Sequence, residues 1–228
     1  LPASCAVAGK LGLVPPSGGE VDIDLYDDGI PFKVYCKAEG LRWWTLIRSW
    51  SLENNSVFRR SRFTQDTPVN GDDPSFHSTK YSLSRENMRA IMSQSTTMYG
   101  RATCNMDGTD GEDSLVFDLS VLDPLTFDVH SGTFLRMIHA NVRGSECNDC
   151  DVRMYQSQSF HLHTDSSGTG NAACCQNGVG SEDNFGYYGS SSSAFSCTAS
   201  STSTTNWWFG EDVLANGATS SSPCVDVA

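Results

Sequence analysis

Pro31-Phe32-Lys33-Val34-Tyr35-Cys36-Lys37-Ala38-Glu39-Gly40-Leu41-Arg42-Trp43-Trp44-Thr45-Leu46-Ile47-Arg48-Ser49-Trp50 reads as two short strands around a Glu39-Gly40 turn. Phe32, Val34 and Cys36 alternate with Lys33, Tyr35 and Lys37, the two-residue period of a strand with one apolar face. Trp44, Leu46 and Arg48 continue the pattern beyond the turn. Trp43, Trp44 and Trp50 bring an aromatic area that only a sizeable core can hide. Cys36 falls on the inward set, where a disulfide partner is expected.

The whole chain has 228 residues, enough for one large domain or two small ones. Charged residues make up only 18 %, with Ser, Thr, Gly and Asn in their place, which suits a loop-rich extracellular β protein better than a helical cytosolic enzyme. The formal charge of −12 repels nucleic-acid phosphates and suits a protein that meets divalent cations. No apolar run is long enough to form a transmembrane segment. Leu1 to Ala8 lacks the charged start and apolar centre of a signal peptide, as in a mature secreted chain.

Nine cysteines point to an oxidising compartment and structural disulfides. Being odd in number, they leave one thiol free or bonded to another chain. The rival reading is zinc. Cys147-Asn148-Asp149-Cys150 has Cys-x-x-Cys spacing, but no second such pair follows.

Residues 51–75 are polar and irregular, with Arg59, Arg60 and Arg62 on an expected strand. Asn54-Asn55-Ser56 is an acceptor sequence for N-glycosylation at Asn54, in a loop where a glycan would fit. Residues 84–95 give the clearest helix: Ser84 is the N-cap, Glu86 lies in the first turn, and Met88, Ile91 and Met92 form the apolar face. Strands are expected at 99–105, 115–117, 125–129, 134–138 and 152–155. From Thr164 to Thr205 the chain reads as loop, kept ordered by cysteines and aromatics.

Three constellations could carry chemistry. In the first, Asp107, Asp110, Glu112 and Asp113 alternate with glycines, an oxygen-rich turn suited to Ca²⁺ although not spaced as an EF-hand. The second joins His161, His163 and Asp165 to Glu182, Asp183, Asn184, Tyr187 and Tyr188. His161 and His163, two apart, share one face of a strand, which suits zinc, a sugar pocket or plain solvation. The third is Asn206-Trp207-Trp208-Phe209-Gly210, whose aromatic faces either cover a sugar ring or fill a core. No catalytic motif occurs, so the chain is not expected to be an enzyme; the abundant carboxylates leave a glycosidase as a distant alternative.

The opening of the chain resembles a fibrinogen C-terminal-like domain. Ser4-Cys5, the turn Pro15-Pro16-Ser17-Gly18-Gly19, the strand Val21-Asp22-Ile23-Asp24-Leu25 and then Phe32-Lys33-Val34-Tyr35-Cys36 follow the family's order, and the likeness covers the first 47 residues well. It implies a Cys5–Cys36 disulfide. It also implies a calcium loop with an Asp-x-Asp core upstream of a cysteine, near the ligand pocket. Asp165 takes that place before Cys174-Cys175, with Ser167 instead of the second Asp and with Glu182, Asp183 and Asn184 able to supply oxygens. Glu182-Asp183-Asn184-Phe185-Gly186 is similar to the acidic, glycine-rich loop of intelectins. Trp207-Trp208-Phe209 resembles the segment beside the family's pocket, although the next cysteine is as late as Cys224.

The resemblance implies an α+β fold with a twisted antiparallel sheet, few short helices and a long loop-rich C-terminal region. A single domain over 1–228 is expected, with a disulfide-closed unit at 1–40, a central sheet at 41–160 and a ligand and calcium region at 161–228. The implied function is secreted, calcium-dependent binding of glycans or glycoproteins. The alternative is an assembly module that contacts other copies of itself or matrix proteins, with purely structural calcium.

Overall fold

Gly40 reverses the chain at φ 60°, a left-handed conformation that glycine enters without steric cost. Around it β2 (Phe32–Glu39) and β3 (Arg42–Ser51) pair antiparallel, with Cys36 opposite Thr45 and Glu39 opposite Arg42. The structure, a computed structural model, describes residues 1–69, 74–75, 78–106, 109–142, 145–158, 160–165, 183–185 and 203–212. Val34 and Cys36 are buried, as their alternation predicts. β3 is buried on both faces from Trp43 to Ser51, so it is a central strand.

One edge of β3 is shared by β2 and by β4 (Lys80–Ser82); the other is taken along its length by β11 (Thr204–Asp212). β11 also pairs antiparallel with β5 (Met98–Met106). The main sheet path starts at β1 (Gly19–Ile23), runs through β2, β3, β11 and β5, and continues through β6 (Thr109–Asp118), β7 (Val129–Val142), β8 (Ser145–Ser157), β9 (Phe160–Asp165) and β10 (Asp183–Asn184). The named pairings are antiparallel. The fold is sheet-rich with few short helices, in line with the coarse expectation.

Three short α-helices flank the sheet. α1 (Cys5–Lys10) begins where the Ser4 hydroxyl accepts from Val7 N, and Gly9 lets it lie directly on the Trp43 ring. α2 (Asn55–Phe58) and the turn after it replace the strand expected around Arg59, Arg60 and Arg62. α3 (Arg85–Met92) is the predicted helix. Ser84 caps it by accepting from Asn87 N, and Met88 and Ile91 are buried beneath it.

The strand expected at 125–129 starts only at Val129. Asp123 and Pro124 turn the chain first: the Asp123 carboxylate accepts from Leu125 N and the Thr126 hydroxyl, and its carbonyl accepts from Phe127 N. Such side-chain bonds offer the backbone an alternative to a ladder. β11 departs most from the sequence reading, which treats Trp207-Trp208-Phe209 as a cluster after a loop.

Cys5 and Cys36 are bonded, with Cα atoms 5.5 Å apart, and tie α1 to β2. This is the pairing the fibrinogen-like resemblance implies. A second disulfide joins Cys147 to Cys150, and Cys104 is disulfide-bonded too. By chain entropy the first, across 31 positions, stabilises by about 3–4 kcal/mol and the second, across 3, by about 2 kcal/mol.

A buried glutamine holds several loops to the sheet. Gln156 of β8 accepts from Phe63 N at 2.8 Å and donates to Pro124 O at 2.8 Å and to Phe127 O. Gln156→Leu keeps the volume but strips three backbone groups of this partner. A loss of about 3 kcal/mol is expected, read as a lower urea midpoint at unchanged slope. A loss under about 1 kcal/mol would show that these groups are satisfied elsewhere.

Candidate functional site

β9 starts from Phe160-His161-Leu162-His163-Thr164, and its alternation places both imidazoles on one side. That side faces inward. His161 and His163 are buried, their rings 5.3 Å apart. Trp50 of β3 meets His161 edge-on at 5.5 Å, and Tyr155 of β8 stacks on His163 at 5.4 Å. His161 Nδ1 lies 3.2 Å from Arg59 O, and His163 Nδ1 donates to His161 O at 2.8 Å. Both rings are therefore part of the core.

β10 lies beside β9, with Asp183 opposite Asp165 and Asn184 opposite Thr164. Phe185 follows at φ 65°, a left-handed conformation that a bulky side chain rarely adopts. Its ring is buried and meets Trp207 of β11 edge-on at 6.1 Å. The sheet and its core thus bring together 161–165, the described part (183–185) of the expected loop 181–188, and 206–209. Trp207 and Trp208 are 1 % exposed, so both rings are core here, against Phe63 and Phe185 on one side and Tyr35 on the other.

Burial sets the electrostatics. Arg48 is buried beside this cluster; it donates to Ser61 O at 2.7 Å and to the Ser82 hydroxyl at 3.1 Å, and its guanidinium lies over Phe63 at 3.9 Å. Desolvation lowers its pKa to about 9, so it stays charged at neutral pH. His161 is pushed down to about 3, first by burial, then by His163 and, more weakly, by Arg48. It is neutral in the folded protein at physiological pH.

The acidic run after Cys104 is placed differently from the sequence expectation. Asp110, Glu112 and Asp113 lie on β6, in a hairpin that pairs Met106 with Thr109 and Asn105 with Asp110. The β5–β6 register shifts between Thr103 and Asn105, so Glu112 and Asp113 lie where the ladder is irregular. Asp113 is buried. Asp107, Glu182, Tyr187 and Tyr188 lie outside the described residues. Among the described residues, no three His, Cys, Asp or Glu groups come together to hold a metal. Asn54 lies in a helical turn rather than an open loop, and its amide donates to Thr79 O at 2.9 Å and to the Ser51 hydroxyl at 3.2 Å.

Sequence reasoning named Phe185 in the acidic loop but passed over Trp50, Tyr155 and Arg48 as parts of this end of the molecule. The run Phe185-Gly186 after an acidic pair was the available signal for a turn; the others come from distant segments that only the sheet unites. A separate cleft of about 410 Å³ lies where β1 and β2 meet the start of α3, lined by Asp22, Phe32, Lys33, Leu83, Ser84 and Asn87 among others. Compared with known proteins, the chain matches no family model and no curated protein.

The low pKa of His161 makes stability depend on pH. In the unfolded chain the group titrates near 6.5 and in the folded one near 3, so between these values only the unfolded state holds the proton. Its contribution is complete above pH 6.5 and is lost as pH falls, by up to about 1.4 kcal/mol per unit. Urea midpoints measured from pH 7 down to 4 should fall more steeply in the parent than in His161→Gln. Parallel slopes would mean that His161 is already charged in the fold.

Proposed function

We propose that this chain is a secreted recognition module of the fibrinogen-related kind that binds carbohydrate with the help of calcium, and that it is not an enzyme. One observation carries the reading: Asp165 and Asp183, far apart in sequence, are direct ladder partners next to the left-handed Phe185. A strained backbone held by a buried ring is more common at functional sites than elsewhere. The disulfides fit an extracellular protein.

In this reading Asp165, Glu182, Asp183 and Asn184 supply oxygens to a Ca²⁺ ion, a hard cation that takes six to eight of them. Sugar hydroxyls complete the shell, and Tyr187 and Tyr188 offer aromatic surface. His161, His163, Trp207 and Trp208 act from beneath, as the packed floor that fixes β9 and residues 183–185. Loops carried on such a rigid scaffold commonly bind ligands.

The assembly reading has its own observation. Among the described residues, β8 pairs with β9 only from Met154 onward, so Ser145–Arg153 has β7 as its one ladder partner. Phe134 and Ile138 on β7 are also exposed. Open edges invite pairing with another chain, although the Arg136–Asp149 and Arg136–Asp151 ion pairs blunt this one.

Glycan-array binding in calcium and in EDTA separates the two. Binding is expected only with calcium, together with a rise in melting temperature of about 5 °C at saturating ion. Asp165→Ala/Asp183→Ala should weaken glycan binding at least about tenfold while tryptophan emission stays native. Concentration-dependent self-association without glycan binding would favour the assembly module instead.

A further inference from the structure

We propose that the Cys147–Cys150 disulfide is a redox clasp that small thiols open in the folded protein while Cys5–Cys36 stays oxidised. The two bridges differ in access. Cys5 and Cys36 are fully buried, with the Thr45 hydroxyl 2.9 Å from Cys5 Sγ. Cys150 is buried, but Cys147 is half-buried and its neighbours Glu146, Asn148 and Asp149 are exposed, so a small thiol reaches the bridge at Cys147.

They differ in duty as well. Cys5–Cys36 joins a helix to the sheet, whereas Cys147–Cys150 joins two positions of one strand. The ladder already holds both ends: Cys147 is opposite Ala140 and Cys150 opposite Met137. Closing so short a loop removes less entropy from the unfolded chain than closing the 31-position loop does.

The clasp does impose a shape. Residues three apart on an extended strand are about 10 Å apart. Here the Cα atoms are 6.1 Å apart, so β8 is buckled. Asp149, inside the buckle, stands at φ 51°, and Arg136 grips its carboxylate with two hydrogen bonds of 2.7 and 2.8 Å. Opening the disulfide lets this segment extend and frees Asp149 from the left-handed conformation.

The chemistry balances as ordinary exchange. A thiolate attacks Cys147 Sγ, the S–S bond breaks, and its electron pair goes to Cys150 Sγ, which takes a proton. A second thiol attacks the mixed disulfide and releases Cys147 as a thiol, leaving the reductant as its own disulfide. Two electrons pass to the protein.

The test is differential alkylation of the full folded chain in low-millimolar dithiothreitol. Free thiols are capped with iodoacetamide, and the remainder with an isotopically distinct form after denaturation and full reduction. Cys147 and Cys150 are expected to take the first label at least about tenfold faster than Cys5 and Cys36, with circular dichroism unchanged. Equal rates, or labelling that keeps pace with loss of structure, would overturn the proposal. Cys147→Ser/Cys150→Ser provides a second check. It should melt within a few degrees of the parent. If it is as unstable as Cys5→Ser/Cys36→Ser, the bridge is a structural staple and the proposal fails.

Discussion

The pairing of β3 with β11 is the constraint on which the rest of the structure depends. β3 comes from the first quarter of the chain and β11 from residues 204–212, yet they are neighbours at the centre of the sheet. Remove β11, and β3 and β5 would each present a long open edge lined by Trp44, Leu46 and Ala102. Trp207 and Trp208 show how the strand serves both sides. Consecutive strand residues face opposite ways, so Trp207 meets Phe63 and Phe185 while Trp208 meets Tyr35 and the Thr103 hydroxyl, and the ladder to β3 shifts register between them. A bulge of this kind adds a residue and increases the local twist. Contacts between such distant segments must overcome a large loop-closure entropy, so the centre of this sheet is expected to form late in folding.

Apolar burial alone would not choose this register. An unpartnered buried polar group costs about 1–3 kcal/mol, so buried polar residues penalise every arrangement but the one that satisfies them. Ser49 Oγ lies 2.8 Å from the Asn206 side chain across the β3–β11 ladder. Gln156 ties β8 to Phe63 and to the turn at 124–127. Arg48 links β3 to β4 and to Ser61. Each bond crosses between segments that hydrophobicity alone would let slide, and a slip by one residue would turn every side chain of a strand to the wrong face.

Some of this was legible in the sequence. The hairpin at 31–50 declares itself by alternation, its glycine and its tryptophans; α3 does so by Ser84 and the spacing of Met88 and Ile91. β11 is hidden because a strand buried on both faces has no alternation to read, and Ser and Thr upstream of it imitate a loop. The acidic run after Cys104 misleads in the other direction. Asp and Gly are poor strand formers, yet Asp110 pairs with Asn105 of β5, and Glu112 and Asp113 follow in the irregular part of β6 before Ser114 pairs with Thr103. Three segments of the candidate site could be named, and their adjacency was expected from the fibrinogen-like resemblance rather than from any local pattern. That adjacency rests on Asp165 meeting Asp183 and on Phe185 reaching Trp207, contacts across gaps that no local pattern records.

The same core decides what the site end of the sheet can do. His161 Nδ1 lies 3.2 Å from Arg59 O, so one neutral ring joins the turn after α2 to β9. A left-handed phenylalanine persists only when its surroundings cost more to rearrange than its backbone does to strain. Here the surroundings are Trp207 and the aromatic floor around it, including Trp50 and Phe58 stacked at 5.4 Å. The backbone at 183–185 is therefore tied to central strands of the sheet. What the ladder fixes is the backbone: Asp165 stands opposite Asp183 and Thr164 opposite Asn184.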